Sequence, residues 1–206
     1  MPLSDQEKHV FINCPFDNKH TPLFRAMIFA VHDCGFIARC ALESEDAGEV
    51  RIKKIIQIIR ESRYGIHDIS RIELDRSTRF PRFNMPLELG IFLGAKEFGS
   101  REQRRKACLI LDRERYRYQV FCSDIAGQDI REHGNHPDEA IRAVRNFLAN
   151  QRPNLLLPSA GTLSQRYSLF KKQLPRVARE HHLDTRELSF NELRNLVLAF
   201  LQENPW

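Results

Sequence analysis

Lys8-His9-Val10-Phe11-Ile12-Asn13-Cys14-Pro15-Phe16-Asp17 is an apolar run that stops at a proline-containing polar turn, so it reads as a buried strand running into a loop. Thr21-Pro22 follows with the form of an N-cap and a proline in the first helical turn. Leu23, Phe24, Met27, Ile28 and Val31 then recur at helical spacing up to Gly35, which is placed to end the helix. The same alternation continues outward from this unit. Residues 36–42 are a second strand, and Ile52, Ile55, Ile56 and Ile59 mark a helix with Arg51, Lys53, Lys54 and Arg60 between them. Tyr64-Gly65-Ile66-His67-Asp68-Ile69-Ser70 is a third strand, a helix opens at Pro86, and Ala107-Cys108-Leu109-Ile110-Leu111-Asp112 is a fourth strand. Gly90 and Gly94 share one face of the helix and are expected to let it approach the sheet closely. Continuous apolar strands alternating with helices predict an α/β protein with a flavodoxin-like parallel sheet in the order 2-1-3-4, helices on both faces and right-handed crossovers.

Beyond Arg113 the pattern weakens, and residues 116–130 fit either a short strand or a helix. Helices are predicted over 137–150, 162–182 (with a bend at Pro175) and 189–203, with an extended stretch at Leu155-Leu156-Leu157 between Pro153 and Pro158. The expected organisation is an α/β domain over 1–135 and a C-terminal helical extension over 136–206 packed on it.

Composition narrows the function classes. The 206 residues are 42% hydrophobic with 9 Gly and 10 Pro, which excludes collagen-like and wholly disordered chains. No apolar run reaches the roughly 20 residues of a membrane span. Met1-Pro2-Leu3-Ser4-Asp5 lacks the features of a secretion signal, and an odd count of five Cys, mostly in apolar segments, fits reduced thiols, so a cytoplasmic location is expected. The net charge of +5 is local: residues 101–118 carry seven basic and three acidic groups, and residues 162–182 five and one. No nucleic-acid module accompanies them, which favours a solvated basic face over a nucleic-acid partner. The eight His never fall at metal-ligand spacing, so no metal site is expected. Walker and G-x-G-x-x-G loops are missing too.

In a doubly wound sheet, ligands bind beyond the carboxyl ends of the strands. Those positions hold Asn13, Phe16 and Asp17 after the first strand, and Glu43, Glu45 and Asp46 before Arg51 after the second. Asp68, Ser70, Arg71 and Asp75 follow the third, with Asn84 and Glu88 at the head of the next helix, and Asp112, Arg113 and Arg115 follow the fourth. Glu88 is the centre of this set. At a helix start the dipole favours its ionised form by a few tenths to about 1 kcal/mol. An ionised carboxylate beside a cleft suits cleavage of an N-glycosidic bond, because the ribosyl carbon becomes cationic as the base leaves. The competing role puts Met85 at the N-cap and Glu88 at N3, serving the helix start alone. Asp68 and Ser70 suit ribose hydroxyls or, equally, a turn. Arg51 suits a phosphate or a surface pair with Glu43, Glu45 or Asp46. Phe16 and Asp17 suit a base and a sugar hydroxyl, or a plain turn with Phe16 in the core. Cys14 suits an inert buried thiol better than a nucleophile.

Val10-Phe11-Ile12-Asn13-Cys14-Pro15-Phe16-Asp17, Ile66-His67-Asp68-Ile69-Ser70 and Asn84-Met85-Pro86-Leu87-Glu88-Leu89-Gly90 together resemble the nucleoside 2-deoxyribosyltransferase-like and TIR-like superfamily. The resemblance covers roughly residues 8–112. Cys14 and Met85-Pro86 stand where deoxyribosyltransferases carry glycine and small residues. The resemblance implies catalysis by Glu88 with Asp68, and sugar and base contacts from Phe16 and Asp17; position at the strand ends and helix starts adds Asn13, Arg51, Ser70 and Asn84 as substrate contacts in a nucleotide-binding 1–135 domain. It also implies a nucleotide substrate, NAD first, with no cofactor, and assembly as a homo-oligomer. Nicotinamide leaves without protonation, so no metal is implied. The expected activity is NAD hydrolysis; the alternatives are a non-catalytic nucleotide sensor or interaction module, and a nucleoside deoxyribosyltransferase.

Overall fold

The computed structural model describes residues 6–72, 74 and 79–206; Asp75 and Met1 to Asp5 lie outside them. Five parallel strands, β1 (His9–Asn13), β2 (Ile37–Arg39), β3 (Tyr64–Asp68), β4 (Ala107–Asp112) and β5 (Arg131–Glu132), form one sheet in the order β2-β1-β3-β4-β5. The first four follow the flavodoxin-like order expected from sequence. β5 is an addition, because two polar residues carry no strand signal of their own. β2 is shorter than the apolar run that announces it.

Side chains alternate across the sheet as pleating requires. Val10, Ile12, Tyr64, Ile66, Leu109 and Leu111 face a core shared with α1 (Thr21–Asp33), α4 (Pro137–Gln151), α5 (Ala160–Glu180) and α6 (Phe190–Glu203). Phe11 faces the other way, toward α2 (Arg51–Glu61) and α3 (Asn84–Phe98), where Ile55, Ile58, Ile59 and Phe92 pack on it. α1 is apolar on every side because it is covered on every side, by the sheet beneath and by α4, α5 and α6 around it. Phe29, near its middle, meets the rings of Tyr167, Phe170 and Phe200 at centroid distances of 5.4 to 5.9 Å. The 136–206 segment therefore completes the burial of the first helix. Its far end returns to α1 as well: Arg166 grips the Asp33 carboxylate at 3.1 Å, donates to Asn204 O at 2.8 Å and lies 4.0 Å from the Trp206 ring.

Several local expectations need correction. Thr21 is inside α1 and His20 precedes it; the Thr21 hydroxyl donates to Asp17 O at 3.1 Å instead of capping. α3 starts at Asn84, two residues ahead of Pro86, with Phe83 at the N-cap. A side chain at Gly90 or Gly94 would meet open space, so neither glycine serves close packing. That function belongs to Gly65 in β3, where a Cβ would lie 2.6 Å from His67 Nε2 and 2.8 Å from the Phe92 ring. Gly35, at φ +78°, does end α1 as its position predicts. α5 runs through Pro175 and starts from a Ser159 cap, whose hydroxyl accepts from Thr162 N at 3.1 Å. Residues 116–130 hold two 3-10 turns, Arg117–Val120 and Ser123–Ile125. All five cysteines are free, and no described helix is long and apolar enough to cross a membrane. Gly65→Ala is expected to lower unfolding free energy by about 1–3 kcal/mol in a denaturant titration, whereas Gly90→Ala should be neutral or slightly stabilising.

Candidate functional site

β1, β3 and β4 each end in a polar residue, Asn13, Asp68 and Asp112, and all three are buried. Buried polar groups need partners, and the partners show what each residue is for. Asn13 Nδ2 donates to Met85 O at 2.8 Å and lies 3.1 Å from His67 Nδ1, so its amide fastens the first turn of α3 to the end of β1. Asp112 Oδ1 accepts from Arg117 Nη2 at 2.6 Å, and the same guanidinium donates to Ser70 O at 2.7 Å. Arg117 thus ties the exits of β3 and β4 together.

Asp68 lies under the start of α1. Its Oδ2 is 3.1 Å from His20 Nε2 and 3.2 Å from His133 Nε2, while Oδ1 accepts from Ser70 N at 2.9 Å. Burial alone pushes this carboxyl up, but the contacts from His133 and His20 outweigh it and hold Asp68 well below the usual carboxylate range. Ser70 is buried as well. Asn13, Asp68 and Ser70 are therefore turned into the protein, which corrects the expectation that their side chains line a cleft.

Glu88 is in the second turn of α3, because the helix starts earlier than its sequence suggests. That placement removes both the N3 role and the close dipole contact. Its side chain enters from the α3 face of the edge, leaving the residue only 7% exposed, and no described residue donates a hydrogen bond to it. Burial pushes the carboxyl up to about 7, against a smaller opposing pull from the Arg51 guanidinium, so the expectation of a dipole-favoured carboxylate is overturned. Arg51 stands exposed at the first position of α2 and makes none of the anticipated surface pairs. Glu43 is taken instead by Arg39, with Nε to Oε2 at 2.7 Å.

The remaining expected residues lie in the loop after β1 and at the start of α3. Phe16 is 39% exposed with its ring edge-on to Phe24 at 5.2 Å. Asp17 accepts from Lys19 N at 3.0 Å and His20 N at 3.1 Å and pairs with Arg71 at 3.3 Å, so it organises its own turn while keeping a half-buried carboxylate at the edge. Asn84 is exposed at the start of α3. Cys14 sits among these acids: burial first, then Asp68, Cys40, Glu88 and Asp17, push its thiol up, which makes it an inert thiol. The two acids carry opposite shifts: Asp68 is held ionised in the interior, and Glu88 stays near neutrality on α3. No described group of three or more His, Cys, Asp and Glu residues is placed to hold a metal ion.

Sequence reasoning missed His20, His133 and Arg117. His20 and His133 reach Asp68 from distant segments, and a lone histidine in a loop carries no periodic signal. Asp68→Asn is expected to destabilise the protein at pH 7 by about 2–3 kcal/mol. Asp68 stabilises the fold above its ordinary value of 3.8, and that contribution is lost as pH falls below it. The gap between wild type and variant in denaturant titrations should therefore close below about pH 4. Glu88 has the opposite sign: between 4.5 and about 7 the folded chain holds a proton that the unfolded chain releases, so stability drops as pH rises through that window. Glu88→Gln should be more stable than wild type at pH 8, by on the order of 1–2 kcal/mol, and match it near pH 4.5. No protein-family model matches the chain, and a comparison with curated proteins finds no match.

Proposed function

We propose that the protein cleaves the N-glycosidic bond of a nucleotide, NAD foremost, with Glu88 as the carboxylate that stabilises or captures the ribosyl cation. The observation that carries this reading is Glu88 itself: a buried carboxyl without a hydrogen-bond donor, near the carboxyl edge of a parallel sheet, poised at about 7. A carboxyl kept largely out of water and close to neutrality is one whose charge a cationic substrate can draw out. The nicotinamide ribosyl group of NAD is cationic and would draw Glu88 into its ionised form on binding. As the C–N bond breaks, nicotinamide departs with the bonding pair and the positive charge passes to the ribosyl carbon, where an ionised Glu88 stabilises it. Water then adds to that carbon and releases a proton.

The remaining roles follow from placement. Phe16 offers an aromatic face to a base, Asp17 a carboxylate to a sugar hydroxyl, and Arg51 and Asn84, at the starts of α2 and α3, face a phosphate. Asp68 becomes a positioning residue that sets the β1–α1 turn through His20 rather than a group that touches substrate. One observation favours a second reading, a nucleotide-binding module without turnover: Asn13, Asp68 and Ser70, the residues first assigned to sugar contacts, point inward.

Incubation of the full chain with NAD, followed by nicotinamide release, separates the two. The wild type is expected to release nicotinamide, and Glu88→Gln to lower kcat by at least about 10²-fold. Because the ionised carboxylate is the working form, kcat/KM should rise with pH through about 7 and then level off. Equal turnover by both proteins would remove Glu88 from the chemistry. Calorimetric binding of NAD with no turnover, and with unchanged affinity in Glu88→Gln, would establish the second reading.

A further inference from the structure

The amino edge of the sheet, opposite Glu88, carries its own concentration of charge. Arg63 immediately precedes β3 and Lys106 immediately precedes β4, and the pairing of Tyr64 with Ala107 sets these two cations side by side at the starts of neighbouring parallel strands. Arg60 comes from the last turn of α2 and Arg105 from the 3-10 turn Gln103–Arg105. All four line one cavity of about 180 Å³, together with the carboxylates of Glu7 and Glu102.

Lys106 has a structural reason to be there. It is buried, and its Nζ donates to Ile59 O at 2.6 Å and to Ser62 O, satisfying carbonyls at the end of α2. Arg63 is only partly provided for: its guanidinium lies 5.7 Å from the Tyr64 ring centroid, with the Glu7 carboxylate among its neighbours. Its Nη1 is buried without a hydrogen-bond partner, an expensive state for a guanidinium. Burial first, then the Arg105 charge, lower its proton affinity against opposing pulls from Tyr64 and Glu7, and burial together with Arg63 lowers Lys106 to about 8 against a smaller pull from Glu102. Four cations outnumber two carboxylates around the cavity, and a buried donor lacks an acceptor. An anion in that volume relieves both.

We propose that this cavity is a binding site for a phosphate-class oxyanion, held by Arg63 and Arg105 with Arg60 at its mouth. A guanidinium presents a planar fork of donors that matches two oxygens of a phosphate. Since a liquid water occupies about 30 Å³, the space admits a phosphate group with part of what it is attached to. Free phosphate, pyrophosphate and a nucleoside monophosphate share this chemistry. The site is independent of the Glu88 reading and stands or falls separately from it.

Calorimetric titration of the full chain with each of these three anions, at constant ionic strength set with chloride, tests it. Saturable binding of at least one is expected; the anion bound tightest identifies the source. Arg105→Gln and Arg63→Gln should each weaken binding about tenfold, while Lys172→Gln, on the exposed face of α5, should leave it unchanged. Arg105 is exposed, so its variant decides the matter even where Arg63→Gln fails to fold. The proposal is overturned by no saturable binding of any of the three, by unchanged affinity in the Arg105 variant, or by an equal loss in the Lys172 variant.

Discussion

The Asp68 carboxylate, held between His20 and His133, is the contact on which the carboxyl edge of the sheet depends. A charge fully removed from water is tolerated only when donors surround it. Here the donors come from the turn into α1 and the turn into α4, while Ser70 N supplies a third from the chain leaving β3. One side chain therefore fixes where three segments leave the sheet. Asn13 and Arg117 extend the same logic on either side, one to α3 and the other to the exit of β4. The loops that would meet a ligand stand on a floor of buried polar groups that tie their ends together, so they are oriented by the fold and not by the ligand.

Against that floor, Glu88 is the exception. Asp68 and Glu88 are both buried acids near one edge, yet Asp68 is held ionised by its neighbours and Glu88 is left to burial alone. The difference is donor supply, not depth. A glutamate satisfied by a helix start would be ionised, stable and chemically idle. One without protein donors stays near neutrality and gains charge readily when a cation arrives, and this is the property required of a group that must answer a developing positive charge.

How much of this was legible in the residues depended on whether the signal was periodic. Val10, Ile12, Ile66 and Leu111 announce strands, and Leu23 to Val31 announce a helix, because alternating or helical apolar spacing is a direct record of which face is buried. The order of the first four strands follows from that and from crossover handedness. The starting points of elements were less visible. Asn84 and Met85 belong to α3 although Pro86 looks like its opening, and the shift moves Glu88 from the first turn to the second. Glycines misled for a related reason: Gly90 and Gly94 have helical spacing, but spacing does not say which face they occupy, and Gly65 showed its purpose only once Phe92 and His67 were seen beside it. His20, His133 and Arg117 were illegible because their partners are distant in the chain. Of the eight site residues chosen from sequence, Glu88, Phe16, Asp17, Arg51 and Asn84 stay at the edge, whereas Asn13, Asp68 and Ser70 turn inward to build it.

Parallel strands joined by helices give the sheet an electrical polarity. Every such helix starts near the carboxyl edge and ends near the amino edge, so partial positive charge gathers at one side and partial negative at the other. The side chains complement this arrangement. Asp17, Asp68 and Glu88 lie at the edge where α1, α2 and α3 begin, and Lys106 closes the carbonyls where α2 ends. Complementing the backbone accounts for one cation at the amino edge and for the carboxylates that find donors at the other. It does not account for the buried Nη1 of the half-buried Arg63 guanidinium beside Lys106, nor for an acid with no protein donor. Arg63 and Glu88 exceed what the backbone field requires, at opposite ends of one strand layer and with opposite sign. An anion at Arg63 and a cationic sugar at Glu88 are the partners from outside the chain that we propose for them.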